Sequence, residues 1–260
     1  MFKLFLVQLK KLFLRTDVKW ILAVFALLPF GIALLISMES GIIQIGESVF
    51  TAMGYGSVVV GLLNSLLLIS VTVALTATSL VSKEIDTGLD GMYVTKVKSR
   101  GHILLTKMAA MDLLTLGIFL VLILSAISGW FLFLKNSPFG TDVFWSTDKD
   151  EAFQLLYTVI GSFVETLVMV RIYILFSLLF KYGKAIVFNF VTIVLFKLLA
   201  NIEHLRLWIP TYIGSGTHLA QYAGDELVRH GLSGLGLLAL YAVVLTIANY
   251  SLYKKMDLSR

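Results

Sequence analysis

The stretch LLNSLLLISVTVAL, Leu62–Leu75, carries no charge and too few polar side chains to build the hydrophilic face that a helix of a soluble bundle turns to water. It lies inside an apolar window at 57–81, which satisfies the ~20 residues a helix needs to cross ~30 Å of hydrocarbon. Further apolar windows at 20–37, 112–134, 154–180, 185–200 and 232–252 read as additional spans, each crossing with some tilt. The composition agrees, because 58% of the 260 residues are hydrophobic and 14% charged, against roughly 45–50% and 25% in soluble domains. An all-α integral membrane protein with six transmembrane helices is the expectation.

Charge is clustered between the apolar windows, and its distribution predicts orientation. Lys3, Lys10, Lys11, Arg15, Lys19, Lys83, Lys96, Lys98, Arg100, Lys107, Lys181, Lys184, Lys254, Lys255 and Arg260 collect on one side; Lys135, Lys149, Arg206 and Arg229 fall on the other. Short cytoplasmic loops hold the lysine and arginine excess, so both termini are expected in the cytoplasm of a cell-membrane protein. The net charge of +5 is thereby read as topology, and nucleic-acid binding is not expected. The absence of cysteine excludes disulfides, thiolate metal sites and a cysteine nucleophile. The basic start followed by an apolar run mimics a signal peptide, but the run is long and no A-x-A-like site follows, so it is expected to be retained.

One polar segment precedes the first span and another separates spans two and three. In residues 1–18, Phe2, Phe5, Leu6, Leu9, Leu12 and Phe13 share one helical arc, and Lys3, Gln8, Lys10, Lys11 and Arg15 lie opposite. This predicts an amphipathic elbow helix in the headgroup plane. Residues 82–111 form the longest inner connection, too long to serve only as a linker. Within it Ser82, Glu84 and Gly88, followed by Ser99, Arg100, Ile103, Leu104 and Lys107, resemble the S-x-E-x3-G … S-R-x2-I-L-x2-K pattern of type-2 ABC exporter permeases. Leu89 and Val97 depart from that pattern, where the family often has threonine and proline. The layout of elbow, six spans and inward termini is also similar to that family.

The resemblance implies a single permease domain over 1–260, with 82–111 as a coupling loop seated in a groove of a separate ATPase subunit. Ser82, Glu84, Gly88, Arg100 and Lys107 are the implied coupling residues, with Glu84 in an exposed, loop-like setting and Lys96 of little consequence. A second permease copy, identical or not, would complete the pathway. ATP and magnesium would belong to the partner, since this chain has no G-x4-G-K-[ST] phosphate loop, and Gly183-Lys184 lacks its flanking residues. No cofactor is expected in this chain. The segment 201–231, with Pro210 and Gly214-Ser215-Gly216, reads as an extracellular loop or, by the same resemblance, a re-entrant hairpin.

Ionisable groups inside spans are costly and so are candidate sites. Glu165 and Arg171 fall in span four and Lys197 in span five; helix arithmetic brings Glu165 and Lys197 to similar depth and Arg171 to the level of Asn189. Structural pairing is the expectation, with substrate contact the alternative. Two rival functions remain: a stand-alone channel or secondary carrier, which usually shows repeats that are not found here, and an intramembrane serine protease around Gly231-Leu232-Ser233-Gly234. The protease lacks a histidine after Ser233 to act as base. His102, His204, His218 and His230 have no metal spacing and are expected in loops. The composition of the spans suits a hydrophobic or amphipathic cargo, such as a peptide, an antibiotic or a lipid-like molecule.

Overall fold

The computed structural model describes residues 2–38, 50–89 and 100–256. The described residues are mostly helical, with helices α1 (Phe2–Leu14), α2 (Thr16–Ser37), α3 (Ala52–Ser65), α4 (Leu68–Asp86) and α5 (Arg100–Gly129), the last continued by a π turn at Trp130–Leu134. There follow α6 (Lys149–Leu179), α7 (Tyr182–Leu199), the short α8 (Pro210–Ser215) between two 3-10 turns, and α9 (Gly224–Lys255). Six of these, α2, α4, α5, α6, α7 and α9, are long and apolar enough to cross a membrane. Lys11 of α1 meets Glu84 near the end of α4, and Gly101 at the start of α5 meets Tyr250 near the end of α9; the face they share is called here the terminal face. The opposite face carries α8 and is called the hairpin face.

The second span differs from the uninterrupted helix expected at 57–81. It begins at Ala52, where the Thr51 hydroxyl accepts from the Gly54 amide, and breaks at Leu66–Leu67, where Leu67 adopts a left-handed φ of 63°. A left-handed non-glycine residue costs about 1–2 kcal/mol, so the break persists only because the packing on both sides imposes it. A uniform run of leucines gives no local sign of such a break. The third span also starts earlier than expected, at Arg100 rather than 112, because Ile103, Leu104, Met108, Ala110 and Met111 are buried and carry the helix into the protein. The segment 82–111 is therefore mostly helix: Ser82 to Asp86 belong to α4 and Arg100 to Met111 to α5. Gly88 stops α4 with a φ of 71°, its amide donating to the Ile85 carbonyl at 3.0 Å. Ser99, Lys96 and Val97 lie outside the described residues.

Helix α6 is the hub. It packs against α3, α4, α5, α7, α8 and α9, while α2 lies along α5. Pro29 removes a backbone donor inside α2, and the hydroxyls of Tyr55 and Ser125 donate to the carbonyls of Pro29 and Ala26, tying α2 to α3 and α5. Outward leucines, valines and isoleucines such as Leu27, Leu124, Leu240, Val244 and Ile247 stay exposed, the surface a bilayer covers.

The elbow helix forms as expected, but the side that meets the protein draws on both arcs, apolar and polar. Leu4, Phe5, Gln8, Lys11, Leu12 and Arg15 turn toward the protein, and Gln8 is fully buried, whereas Phe2, Leu6, Val7 and Leu14 are exposed. Arg15 Nη2 donates to Ser79 Oγ of α4 at 2.8 Å and binds Asp17 Oδ2 at 2.6 Å. Leu4, Phe5 and Leu12 thus pack on the core beside the polar contacts of Lys11 and Arg15, while Phe2, Leu6, Val7 and Leu14 are left for lipid.

On the hairpin face α8 lies against the middle of α6 with no room for side chains. A Cβ at Gly161 would stand 2.6 Å from the Gly214 carbonyl oxygen, and a Cβ at Gly214 would stand 2.4 Å from Glu165 Cβ. Gly231 and Gly234 of α9 similarly meet Phe153 and Tyr157 rather than forming a catalytic loop. Gly214→Ala is expected to lower stability by about 1–3 kcal/mol through overpacking. Gly117→Ala, where a Cβ meets nothing within 4 Å, should leave it unchanged or slightly raised. Thermal unfolding of the two variants in the same detergent checks the pair.

Candidate functional site

Polar residues gather in three places along the bundle. The first is the terminal face. Glu84, 4% exposed, lies near the end of α4 with Lys11 Nζ of α1 2.8 Å from Oε1 and Lys107 Nζ of α5 3.2 Å from Oε2. Lys107 is fully buried, and its approach to Oε2 is an ion pair without hydrogen-bond alignment. The expected exposed, loop-like setting of Glu84 is thus overturned: helix α4 continues through it, and the lysines draw its carboxylate inward. Ser82 is also buried, its hydroxyl donating to the Phe180 carbonyl at 2.9 Å. Asp86 Oδ2 accepts from the Tyr182 amide at 2.7 Å, capping α7, and Lys83 lies 5.9 Å over the Tyr182 ring. Of the implied coupling residues, Glu84 and Lys107 are brought together inside, Ser82 is buried separately against Phe180, Gly88 is exposed at the tip, and Arg100 stands at the first position of α5.

The second place is midway along α6. The Arg171 guanidinium grips Asp112 of α5 with two bonds of 2.7 and 2.6 Å and donates to Thr246 Oγ1 of α9 at 3.0 Å. Asn249 Nδ2 of α9 donates to the Arg171 carbonyl at 2.8 Å. Asn189 is elsewhere, donating to Thr78 Oγ1 of α4 at 2.8 Å and to the Tyr173 carbonyl at 3.3 Å. The expected facing of Arg171 and Asn189 is therefore replaced by an Arg171–Asp112 pair, because Arg171 points to α5 and α9 while Asn189 points to α4. Asp112 escaped the sequence reading because it sits at the boundary assigned to span three. Charge balance was the available signal, since a guanidinium inside a span requires a nearby acid.

The third place is a cavity of about 480 Å³ toward the hairpin face, between α3, α6, α7 and α8. Asn64, Ser162, Lys197, Thr158, Thr211 and Tyr212 are among the residues that line it. Behind this wall Asn64 Nδ2 donates to Glu165 Oε2 at 2.9 Å; Glu165 is 1% exposed and does not itself line the cavity. Lys197 is half-buried in the wall, near enough for Coulomb attraction to Glu165, but among the described residues no direct ion pair joins them. The expected Glu165–Lys197 pair is thus one of proximity, and the bond Glu165 does make is to Asn64 across the break in span two. Two of the histidines expected in loops, His102 and His230, lie within α5 and α9, and His230 stacks on Tyr222 at 3.9 Å.

No protein-family model matches the chain, and no curated protein matches its sequence.

The Arg171–Asp112 bond predicts a specific pattern of coupling. In a double-mutant cycle, Asp112→Asn and Arg171→Met should show an interaction of more than ~1 kcal/mol in unfolding free energy. Glu165→Gln combined with Arg171→Met should be additive within ~0.5 kcal/mol. Chemical denaturation in mixed micelles measures both cycles.

Proposed function

We propose that this chain is the membrane-spanning permease subunit of an ABC exporter. It would work as a dimer of permeases driven by separate ATPase subunits, which bind ATP and magnesium. Its cargo would be a hydrophobic or amphipathic molecule, such as a peptide, an antibiotic or a lipid-like compound, carried outward across the cell membrane. The supporting sequence features are the S-x-E-x3-G … S-R-x2-I-L-x2-K resemblance and the excess of lysine and arginine, which assigns the terminal face to the cytoplasm.

The observation that carries this reading is the block of short polar contacts at the terminal face. Through Glu84, Lys11, Lys107, Ser82 and Asp86 the elbow, the end of α4, the start of α5 and the α6–α7 turn are cross-linked by charge and hydrogen bonds. A push at this face is then shared by four elements instead of being lost in a soft loop. Glu84 and Lys107 hold the block together from inside, which makes them positioning residues. Contact with the ATPase falls instead to the exposed tip, Thr87, Gly88 and Leu89, beside Lys83 and Lys181. An exposed apolar side chain at this tip, as Leu89 is, suits an anchor in a partner's groove.

Copurification tests the reading. The tagged chain, extracted from its native membrane in mild detergent, should bring down a protein with a Walker-type ATP site. Leu89→Asp should remove that protein while leaving the unfolding temperature of the permease unchanged, and Glu84→Gln should lower the unfolding temperature itself. A chain that comes down alone and still moves cargo in vesicles would instead be a channel or secondary carrier.

A further inference from the structure

We propose that the cavity at the turn between α6 and α7, on the terminal face, seats an anionic phospholipid. Its phosphate is held by Lys181 and Lys184, and its acyl chains run along the outer side of α7. The cavity, about 470 Å³, is lined by Leu179, Phe180, Lys181 and Lys184. Two cations beside two apolar side chains suit a ligand that is itself amphipathic and negative.

The positive charge at this turn is not neutralised by the protein. Lys181 and Lys184 are exposed, and among the described residues no ion pair engages either one. Across the turn α4 presents two exposed charges, Lys83, which lies 5.9 Å over the Tyr182 ring, and Asp86. Asp86 is occupied, since its Oδ2 accepts from the Tyr182 amide at 2.7 Å. Three lysines therefore stand against one carboxylate. A lipid of net negative charge is favoured over a zwitterionic one, whose own cation is repelled.

The apolar half of the seat is built in advance. Phe180 is fixed twice: its carbonyl accepts from the buried Ser82 hydroxyl at 2.9 Å, and its ring stacks on Phe188 of α7 at 4.1 Å with the planes 9° apart. Little ordering remains to be done when a lipid arrives. Beyond Lys184 the surface continues into the bilayer, where Phe188, Val191, Leu195 and Leu198 follow it at helical spacing and are all exposed. From Lys184 to Leu195 the helix rises ~16 Å, the depth of one leaflet of a ~30 Å hydrocarbon core. Lysines at headgroup level and an apolar stripe one leaflet deep offer a surface to both ends of a phospholipid. A free phosphate would use only the first.

This inference does not rest on the exporter reading, and no ATPase enters its test. The chain contains no cysteine, so a fluorophore attached at Val187→Cys, an exposed position of α7, reports on the lipid beside it. The purified full-length chain is placed in phosphatidylcholine nanodiscs carrying a small fraction of brominated phosphatidylglycerol or of brominated phosphatidylcholine, and the quenching by the two is compared. Phosphatidylglycerol should be enriched about fivefold at this position, and Lys181→Gln/Lys184→Gln should bring the ratio close to one. Lys254→Gln/Lys255→Gln, which removes two exposed lysines elsewhere on the terminal face, should leave the enrichment in place. Glycerol phosphate at millimolar concentration, the same headgroup without chains, should not relieve the quenching. The proposal is overturned if the two lipids quench equally in the wild type or if the enrichment survives in the Lys181/Lys184 variant. It is overturned equally if the Lys254/Lys255 variant loses as much, which would make the enrichment a property of the total charge of the face, or if glycerol phosphate displaces the lipid, which would make the ligand a soluble phosphate.

Discussion

Hydrocarbon supplies no hydrogen bonds, so every polar group carried into this bundle must find its partner within the protein. That constraint explains the arrangement of the helices better than their apolar contacts do, because leucine surfaces gain little by exchanging lipid for one another. The bonds that cross between helices are few and specific. Asn189 joins α7 to α4, Arg171 joins α6 to α5 and α9, and the hydroxyls of Tyr55 and Ser125 tie α3 and α5 to the backbone of α2 around Pro29. Helix α6 supplies partners on several of its faces and so becomes the hub. Its glycines do complementary work: Gly161 lets the backbone of α8 reach the level of Glu165.

The two ends of the bundle treat the same constraint differently. At the terminal face the charges are closed on one another, with Glu84 between two lysines and Asp86 capping a helix. Such a block is stiff. At the hairpin face the accounts of donors and acceptors do not balance: the Glu165–Asn64 bond leaves acceptors over, and a polar cavity stands beside them. The break at Leu67 makes this possible, since it divides the second span just beyond Asn64 and lets the upper half of that span tilt independently of the lower. On the exporter reading proposed above, the rigid end would be the one that receives force from the partner.

The six spans were legible because length and apolarity alone determine them, and windows such as 20–37 and 232–252 fall inside observed helices. Orientation of individual side chains was not. Glu84 and Lys107 look like ordinary solvated loop charges when read one at a time, and their burial follows from Lys11, ninety-six positions before Lys107, arriving at the same point. The helical wheel of the elbow separated two arcs, yet the side that meets protein takes Leu12 from one and Gln8 from the other, because a wheel cannot say which side chains meet protein when lipid is the competing solvent. Glu165 and Lys197 were placed at similar depth by counting rise per residue, yet depth does not fix azimuth, and the carboxylate turned to Asn64. The kink at Leu67 left no mark because it arises from packing and not from proline or glycine.

The docked elbow has a consequence for the order of assembly. Arg15 and Lys11 find their partners at Ser79 and Glu84, and Glu84 is itself held by Lys107. All three partners lie later in the chain than α1, so α1 is secured only once α4 and α5 are in place. Before that, α1 can rest on the bilayer surface by its phenylalanines and leucines. The contact between α1 and α4 is therefore a long-range one, closed late in assembly although both helices are local structures.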